Sequence, residues 1–492
     1  MITPKLALRG LARNRKSTLV LVGLVAAGAF LFLLGDSILG AASTGLREEF
    51  QNGYTGDAAV RARFERKFGI FGFSVPTIGE YEEMPVLPEA EAIREAAGRV
   101  PGIEASVPMV SGAALLQGPG GYEAKVPVFG VVAKEYFAFF PGLEFKLGGL
   151  PADERAWIIL PESRAKDIET ATGTPLAIGD ELQFTMASGS AFTIRAVKLA
   201  GIIETPLKGQ PELAAAYTDP TTLRALLGLT LGNAAAAAMD ETAPALDIDS
   251  FFSAPADEPA AAEGASDADA RGLDLVSSYL GAGTEAAATP EAEVDVGKGA
   301  WHFLLLRFRP DANRAAALRS LNEEMTGAGI GAEAVDWLSV AGLNASILFV
   351  LKTVFEIGLG VLAGVVVLVL TNGLAFSVIE QTKEIGSMRA MGAFRSFVAR
   401  LYFLQSLAIV AMGVVLGSLA AWLLLLGVGR VGIPITNSYL YMLFGVSLLR
   451  PSFMPTAALA ALAAAVVVAG IASIYPMVLA MRTSIAETMS AE

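Results

Sequence analysis

The chain contains no cysteine, which excludes disulfides, thiolate zinc sites, iron–sulfur clusters and cysteine nucleophiles together. It has one histidine, His302, too few for a histidine-rich metal centre or paired-histidine catalysis. Charge is scarce, at 17% of 492 residues against ~25% in ordinary soluble proteins. Basic residues are the scarcer sign, with 36 Lys+Arg against 49 Asp+Glu, a net charge of −13. That balance, with a pI near 4.8, argues against nucleic acid as a partner, because binding phosphates needs a basic footprint. No stretch matches the phosphate-cradling pattern G-x-x-x-x-G-K-[ST], and Gly297-Lys298-Gly299 lies in an acidic segment.

Apolar residues are abundant. They make up 53% of the chain, and the mean hydropathy is +0.54. That is too apolar for a soluble enzyme and too charged for a chain wholly within lipid. A bilayer core of ~30 Å needs a helix of ~20 mostly apolar residues. Four stretches qualify: Thr18–Leu39, in which Asp36 is the only charge, the uncharged Ile357–Ile379, Leu401–Leu426 and Phe453–Met481. Asp36 lies near the outer end of its span and reads as an interfacial cap in preference to a functional contact.

Flanking bases set the expected orientation. Lys5, Arg9, Arg13, Arg15 and Lys16 precede the first span, and Lys383, Arg389, Arg395 and Arg400 stand between the second and third. Only Arg430 and Arg450 lie between the third and fourth. Both termini are therefore expected in the cytoplasm, with the long segment after the first span outside. Residues 41–340 carry 23 Lys+Arg and 43 Asp+Glu, a net of −20, and the remainder sums to +7. A cleaved signal peptide ending near Gly40-Ala41-Ala42-Ser43 is the competing reading, but its apolar run exceeds the ~7–15 residues usual there.

The expected organisation is an amphipathic N-terminal helix (1–17), a first span (18–40) and an outer α/β domain (41–342). A stalk continuous with the second span follows (343–379), then a cytoplasmic helix (380–400) and a third span (401–426). A short outer loop (427–452), a fourth span (453–481) and a cytoplasmic tail (482–492) complete it. In the outer domain, strands are predicted at Asp57–Phe64, Val126–Val132, Trp157–Leu160, Gly179–Met186, Phe192–Glu204 and His302–Arg309. Helices are predicted at Pro88–Val100 and Pro310–Met325. Residues 231–300 hold fourteen acidic residues against Arg271 and Lys298, a low-complexity composition that cannot assemble much core. Only Leu246–Phe252 within it is apolar enough to dock locally.

No catalytic constellation is apparent. His302 sits in a strand-like run and reads as structural, and no pair of carboxylates is singled out as acid and base. The informative segment is Glu380-Gln381-Thr382-Lys383-Glu384-Ile385-Gly386-Ser387-Met388-Arg389-Ala390-Met391-Gly392-Ala393. Ile385, Met388 and Met391 recur at helical spacing, Lys383 and Glu384 are expected to be exposed, and Gly392 is placed to end the helix. Such a face suits either a groove on another protein or a lipid surface. Lys352 and Glu356, four apart on the stalk, are spaced so that they could pair, for only ~0.2–0.5 kcal/mol on an exposed helix. The exposed apolar side of that stalk needs a partner. Tyr439, Tyr441, Met442, Leu443 and Phe444 in the last outer loop are expected to form an interfacial aromatic belt.

The pattern E-x-T-x-E-I-G-x-x-R-A-x-G-A over residues 380–393 resembles the signature of FtsX-like permeases, the membrane subunits of MacB-type and lipoprotein-releasing Lol-type ABC transporters. Leu8–Lys16 is similar to that family's opening helix, and Ile178–Leu182 with Leu199–Ile203 to its periplasmic core domain. The resemblance implies a four-helix membrane part with a MacB-type periplasmic α/β domain in a bacterial inner membrane, and no catalytic residues in this chain. Glu380, Lys383, Glu384, Ile385, Gly386, Met388, Arg389 and Gly392 would couple to a separate ATPase subunit that holds ATP and Mg. Lys352 and Glu356 would lie on the stalk that meets a second permease subunit. The expected task is extraction of a lipoprotein or other amphiphile. Efflux through a periplasmic adaptor, activation of a periplasmic partner and a membrane-anchored enzyme are the alternatives.

Overall fold

The computed structural model describes residues 15–73, 83–153, 155–188, 191–204, 213–229, 299–437, 440–441, 444 and 448–482. The expected acidic insert with its Leu246–Phe252 patch, the N-terminal helix at 1–14 and the tail from 483 lie outside the described residues.

Helix α1 (Arg15–Phe50) is unbroken for 36 residues and ends in a π-helical turn, Gln51–Thr55. It passes straight through Gly40–Ser43, with Gly40 and Ala42 buried, so no extended, accessible cleavage site exists there. Asp36 is half-buried in mid-helix, fourteen residues before the helix ends, so it does not cap the helix terminus. Gly56 turns the chain out of the helix at φ +63°, and a Cβ there would lie 2.7 Å from the Leu306 carbonyl.

The outer domain then runs β1 (Ala58–Ala62), β2 (Phe68–Gly69), β3 (Gly72–Phe73), α2 (Ala90–Arg99), β4 (Ile103–Gln117) and β5 (Glu123–Val131). It continues α3 (Ala133–Phe139), β6 (Phe145–Gly148), β7 (Trp157–Pro161), α4 (Glu162–Thr172), β8 (Glu181–Ser188), β9 (Ala191–Ile203), β10 (Ala216–Thr218) and α5 (Pro220–Leu226). After the acidic segment come β11 (Phe303–Phe308), α6 (Arg314–Gly327), β12 (Ala332–Asp336) and α7 (Trp337–Ala341). All predicted strands are present. Helix α2 starts two residues later than predicted, after Glu89 in a left-handed conformation. Helix α6 starts at Arg314, where the Asn313 side chain accepts from the Ala316 N–H at 3.1 Å and leaves Pro310 in the preceding turn.

Ten strands form one sheet in the order β12-β1-β11-β4-β5-β10-β7-β9-β6, with β8 pairing both β4 and β9. Those last pairings close β4, β5, β10, β7, β9 and β8 into a ring, a small barrel filled by Leu116, Val126, Ile158, Phe184, Val197 and their neighbours. The open arm, β12-β1-β11, is covered on both faces and is mostly apolar, with the Arg61–Glu333 ion pair at 2.9 Å set into one of them. Along β11, Leu304, Leu306 and Phe308 pack beneath α2 and α6, while Phe303 and Leu305 face the opposite core.

That opposite core joins the domain to the membrane helices. After α7 come α8 (Leu343–Glu380), α9 (Thr382–Ala390), α10 (Arg395–Val431), the two-residue strands β13 (Ile433–Pro434) and β14 (Leu448–Leu449), and α11 (Pro455–Arg482). Phe50 at the end of α1 lies 6.3 Å from Trp337 of α7, which lies 6.0 Å from Phe349 of α8. Tyr54 continues the chain of rings to Phe129 of β5 at 6.0 Å. Ile435 and Leu449 are buried in this core, and Tyr441 and Phe444 pack against it. The loop between the last two long helices thus folds under the domain, which corrects the expected aromatic belt for Tyr441 and Phe444. Tyr439, Met442 and Leu443 lie outside the described residues.

Helices α1, α8, α10 and α11 are each long and apolar enough to cross a membrane. Their shared core is built of small and β-branched residues, Val22, Val25, Ala29, Val366, Val414, Ala465 and Ala469 among them. Gly413 and Gly417 let α10 approach α1 so closely that a Cβ on Gly417 would lie 2.4 Å from the Ala26 carbonyl. Thr371 and Ser406 donate across helices to the carbonyls of Ala472 and Ala469 at 3.2 and 3.0 Å. Four apolar helices and a mixed α/β domain are the architecture expected from the sequence.

Candidate functional site

The short helix α9 hangs on one residue at each end. Gln381 breaks the backbone between α8 and α9, its N–H donating to Ser377 O at 3.1 Å while its carbonyl accepts from Ile385 N at 2.9 Å. Its amide also donates to the Ser377 hydroxyl at 3.1 Å. At the far end Gly392 adopts φ +96°. Ala393 N–H reaches back to Met388 O at 3.0 Å, closing the helix with a glycine C-cap as predicted.

The structure assigns the faces of α9 differently from the sequence. Ile385 is only 1% exposed, packed among Val378, Val398, Tyr402 and Ala480, with Met388 against the same cluster. These two residues fasten α9 to the ends of α8, α10 and α11, Ile385 fully buried and Met388 half-buried. Gly386 is also buried. Met391, grouped with them by spacing, is instead 81% exposed, and Phe394 just beyond the helix is 80% exposed. Glu380, Glu384 and Ser387 are exposed along with them. Phe394 went unnoticed in the sequence because it lies beyond the capping glycine, where helical spacing no longer relates one residue to the next. Arg389 is half-buried and Arg395 and Arg400 are exposed. The Lys383 side chain lies outside the described residues. The site therefore presents two carboxylates, two large apolar side chains and nearby guanidinium groups on a rigid elbow between two long helices.

This elbow lies in the segment that comparison picks out. Residues 356–485 match the FtsX-like permease C-terminal family. The match spans the second half of α8, all of α9 and α10 and the described part of α11, 130 of the 492 residues. No curated protein matches the chain. Among solved structures, the periplasmic region of MacB from Actinobacillus actinomycetemcomitans is 12% identical, with a TM-score of 0.30, covering 58% of this chain and 92% of its own. The extracellular domain of the noncanonic ABC-type transporter YknZ from Gram-positive bacteria is 8% identical, with a TM-score of 0.29, covering 57% of this chain and 99% of its own.

On α8, Lys352 is half-buried and Glu356 exposed, and no ion pair joins them, although their spacing allows one. The notable feature there is apolar. Leu343, Ile347, Val350, Val354, Ile357 and Val361 are all exposed, at the alternating four-and-three spacing of a coiled-coil seam.

In the outer domain His302 is buried beside β4. Its Nδ1 lies 3.1 Å from the Ser111 N–H and 2.9 Å from the Ser111 carbonyl. Burial lowers its pKa to about 4, partly offset by the backbone hydrogen bond with Ser111, with a smaller lowering from nearby Arg224. The imidazole is neutral and ties the start of β11 to β4, as the sequence suggested. Burial also lowers Arg224 to about 10, where its guanidinium stacks 4.2 Å over the Trp301 ring. Burial raises the hydroxyls of Tyr136 and Tyr217 well above their ordinary value. Among the described residues no three His, Asp or Glu side chains converge as metal ligands would.

Proposed function

We propose that this chain is the membrane subunit of an ATP-driven transporter of the FtsX/MacB type, in a bacterial inner membrane. The observation that carries the reading is the family match over residues 356–485, a segment that contains the α9 elbow. In this reading α9 is the coupling helix. Glu380, Glu384, Ser387, Met391 and Phe394 enter a groove on a separate ATPase, which binds ATP and Mg. Ile385, Gly386, Met388 and Gly392 act as positioning residues, holding the helix in shape and passing its movement to α8 and α10.

In this reading the basic flanks before α1 and around α9 lie with the ATPase in the cytoplasm, as positive flanks favour, and the α/β domain is periplasmic. The apolar seam on α8 is covered by the same helix of a second permease subunit, alongside Lys352 and Glu356. Closure of the ATPase pair then drives the elbows, and α1 and α8 carry the movement to the outer domains. No solvated path is needed through the bundle, whose core is almost wholly apolar. The cargo in this reading is a lipoprotein or another amphiphile drawn from the outer leaflet.

The test is purification in mild detergent with a non-hydrolysable ATP analogue and Mg, followed by mass spectrometry of everything retained. A co-purifying ATP-binding subunit, lost when Met391 and Phe394 are replaced, is the expected result. Co-retained lipoproteins support extraction, and a retained adaptor protein moves the reading to efflux. Absence of any ATPase under these conditions overturns it.

A further inference from the structure

The membrane part contains a cleft of about 140 Å³. All four long helices contribute to it, through Val25 and Ala29 of α1, Val366 of α8, Val414 of α10 and Ala465 of α11. These five side chains are buried and form its floor. At the rim Phe32, Leu359 and Leu362 are half-buried and Ala464 is exposed, so the space opens sideways from the bundle. No lining side chain carries a polar atom. Along α11 the lining falls in the half that follows Pro455, nearer the outer domain.

Two fastenings bound the cleft. Towards the outer domain, the Phe355 ring of α8 sits against Gly35 of α1. At the other end, the Thr371 hydroxyl of α8 donates to the Ala472 carbonyl of α11 at 3.2 Å. Gly28 also lines the space. Unlike Gly413 and Gly417, which α1 clamps, it is loosely surrounded: a Cβ there would meet nothing closer than Val366 Cγ2, at 4.0 Å. Glycine inside a helix weakens it relative to alanine, and at Gly28 no close helix approach calls for one. An empty void in a packed core is destabilising, whereas an apolar cavity of about 150 Å³ stays dry and takes up an apolar guest.

We infer that the cleft holds the straight acyl chain of one membrane phospholipid, from the leaflet beside the outer domain, as a fifth element of the bundle. Depth selects the occupant. The four helices are those long and apolar enough to cross a membrane, so the mouth of the cleft faces hydrocarbon, where no water competes. From Leu359 to Val366 the lining of α8 extends ~10 Å at 1.5 Å per residue, a slot that suits an extended chain. Leu359, Ala363 and Val366 lie on the face of α8 opposite the seam residues Val354, Ile357 and Val361. A second copy on that seam therefore leaves the cleft open. The inference rests on the helices crossing a membrane and not on the transport reading.

The test is lipid retention by the full chain, reconstituted with palmitoyl-oleoyl phosphatidylglycerol, washed in detergent and weighed by native mass spectrometry. One lipid per chain should remain after the surrounding lipid has gone. Gly28→Leu, which fills the cleft, should lower that retention by about tenfold. Gly23→Leu is the matched control, because Gly23 is exposed on the same helix with nothing within 4 Å of its Cβ position. It should retain lipid as the parent chain does. Ala464→Leu obstructs the mouth from α11 and should repeat the loss, which keeps the test decisive if Gly28→Leu fails to fold. Diphytanoyl phosphatidylglycerol, with the same headgroup but branched chains, should be held about tenfold more weakly than the straight-chain lipid. No retained lipid in the parent chain, equal retention in Gly28→Leu and Gly23→Leu, or equal retention of the two lipids each overturns the proposal. So does a lipid kept only by monomers, because a second copy would then fill the cleft.

Discussion

Exchanging Met391 and Phe394 for serine separates the two faces of α9 sharply. In the isolated chain these side chains are 81% and 80% exposed, so their removal should change thermal stability by no more than ~0.5 kcal/mol. Burial in an ATPase groove is worth ~1.5–3 kcal/mol for each such side chain. The double variant should thus lose ~3 kcal/mol or more of binding, at least two orders of magnitude in affinity. Ile385→Ala is the matched control. That side chain is 1% exposed in the cluster with Val378, Val398, Tyr402 and Ala480, and truncating it should cost ~2–5 kcal/mol of fold stability. The assay pairs detergent-compatible thermal unfolding with titration of the ATPase identified by co-purification. The expected pattern is intact Tm with lost affinity for the exposed pair, and lowered Tm for Ile385→Ala. Full affinity in the double variant, with affinity lost in a stable Ile385→Ala chain, would refute the assignment of faces.

Other expectations follow from single contacts. Gly386→Pro removes a backbone donor inside α9 at ~3 kcal/mol, and should leave the ATPase bound but its turnover no longer stimulated by cargo. Gly417→Val sets a branched side chain against the Ala26 carbonyl, where even a Cβ is 2.4 Å away. It should destabilise the bundle by ~1–3 kcal/mol, read as a lower detergent-unfolding midpoint. His302 has a pKa of about 4 in the fold, below the ~6.5 of an unfolded histidine. The unfolded chain binds the extra proton, so the contribution is complete above about pH 6.5 and is lost as pH falls towards 4. The loss at pH 5 should reach ~2 kcal/mol, absent in a folded His302→Phe chain compared over the same pH range. Phe50→Ala should cost ~3–5 kcal/mol and let the outer domain move relative to α1, measurable as a broader distance distribution between spin labels on the two.

The elements legible in the sequence were those whose physics is local. Four long apolar runs, the alternation in Asp57–Phe64 and the glycine after Ala390 each fix a structure within a few residues of themselves. The barrel was not legible, because closing it requires β8 to reach β4, with Leu115–Gln117 opposite Gln183–Thr185, a pairing without a neighbouring signal. Strand β4 itself went unread, since Ser111, Gly112 and its alanines have weak strand preference and owe their conformation to three partner strands. On α9 the period identified the apolar residues but could not say which side the bundle occupies. Ile385 and Met388 turned inward because α10 and α11 end beside them, and Met391 was left outside. The pair Lys352–Glu356 had the right spacing, but spacing alone does not bring two flexible side chains together.

Helix α1 is a rod as well as a membrane anchor. Its 36 unbroken residues measure ~54 Å at 1.5 Å each, well beyond the ~30 Å of hydrocarbon it has to cross. The surplus is clamped: Phe50, Trp337 and Phe349 lock its tip to α7 and to the start of α8. A rod held at one end and tilted by ~5° sweeps ~5 Å at the other, one helical turn. Because Gly35 and Phe355 interlock where α1 and α8 cross, the two rods tilt as a pair, and the sheet rides on them like the beam of a balance.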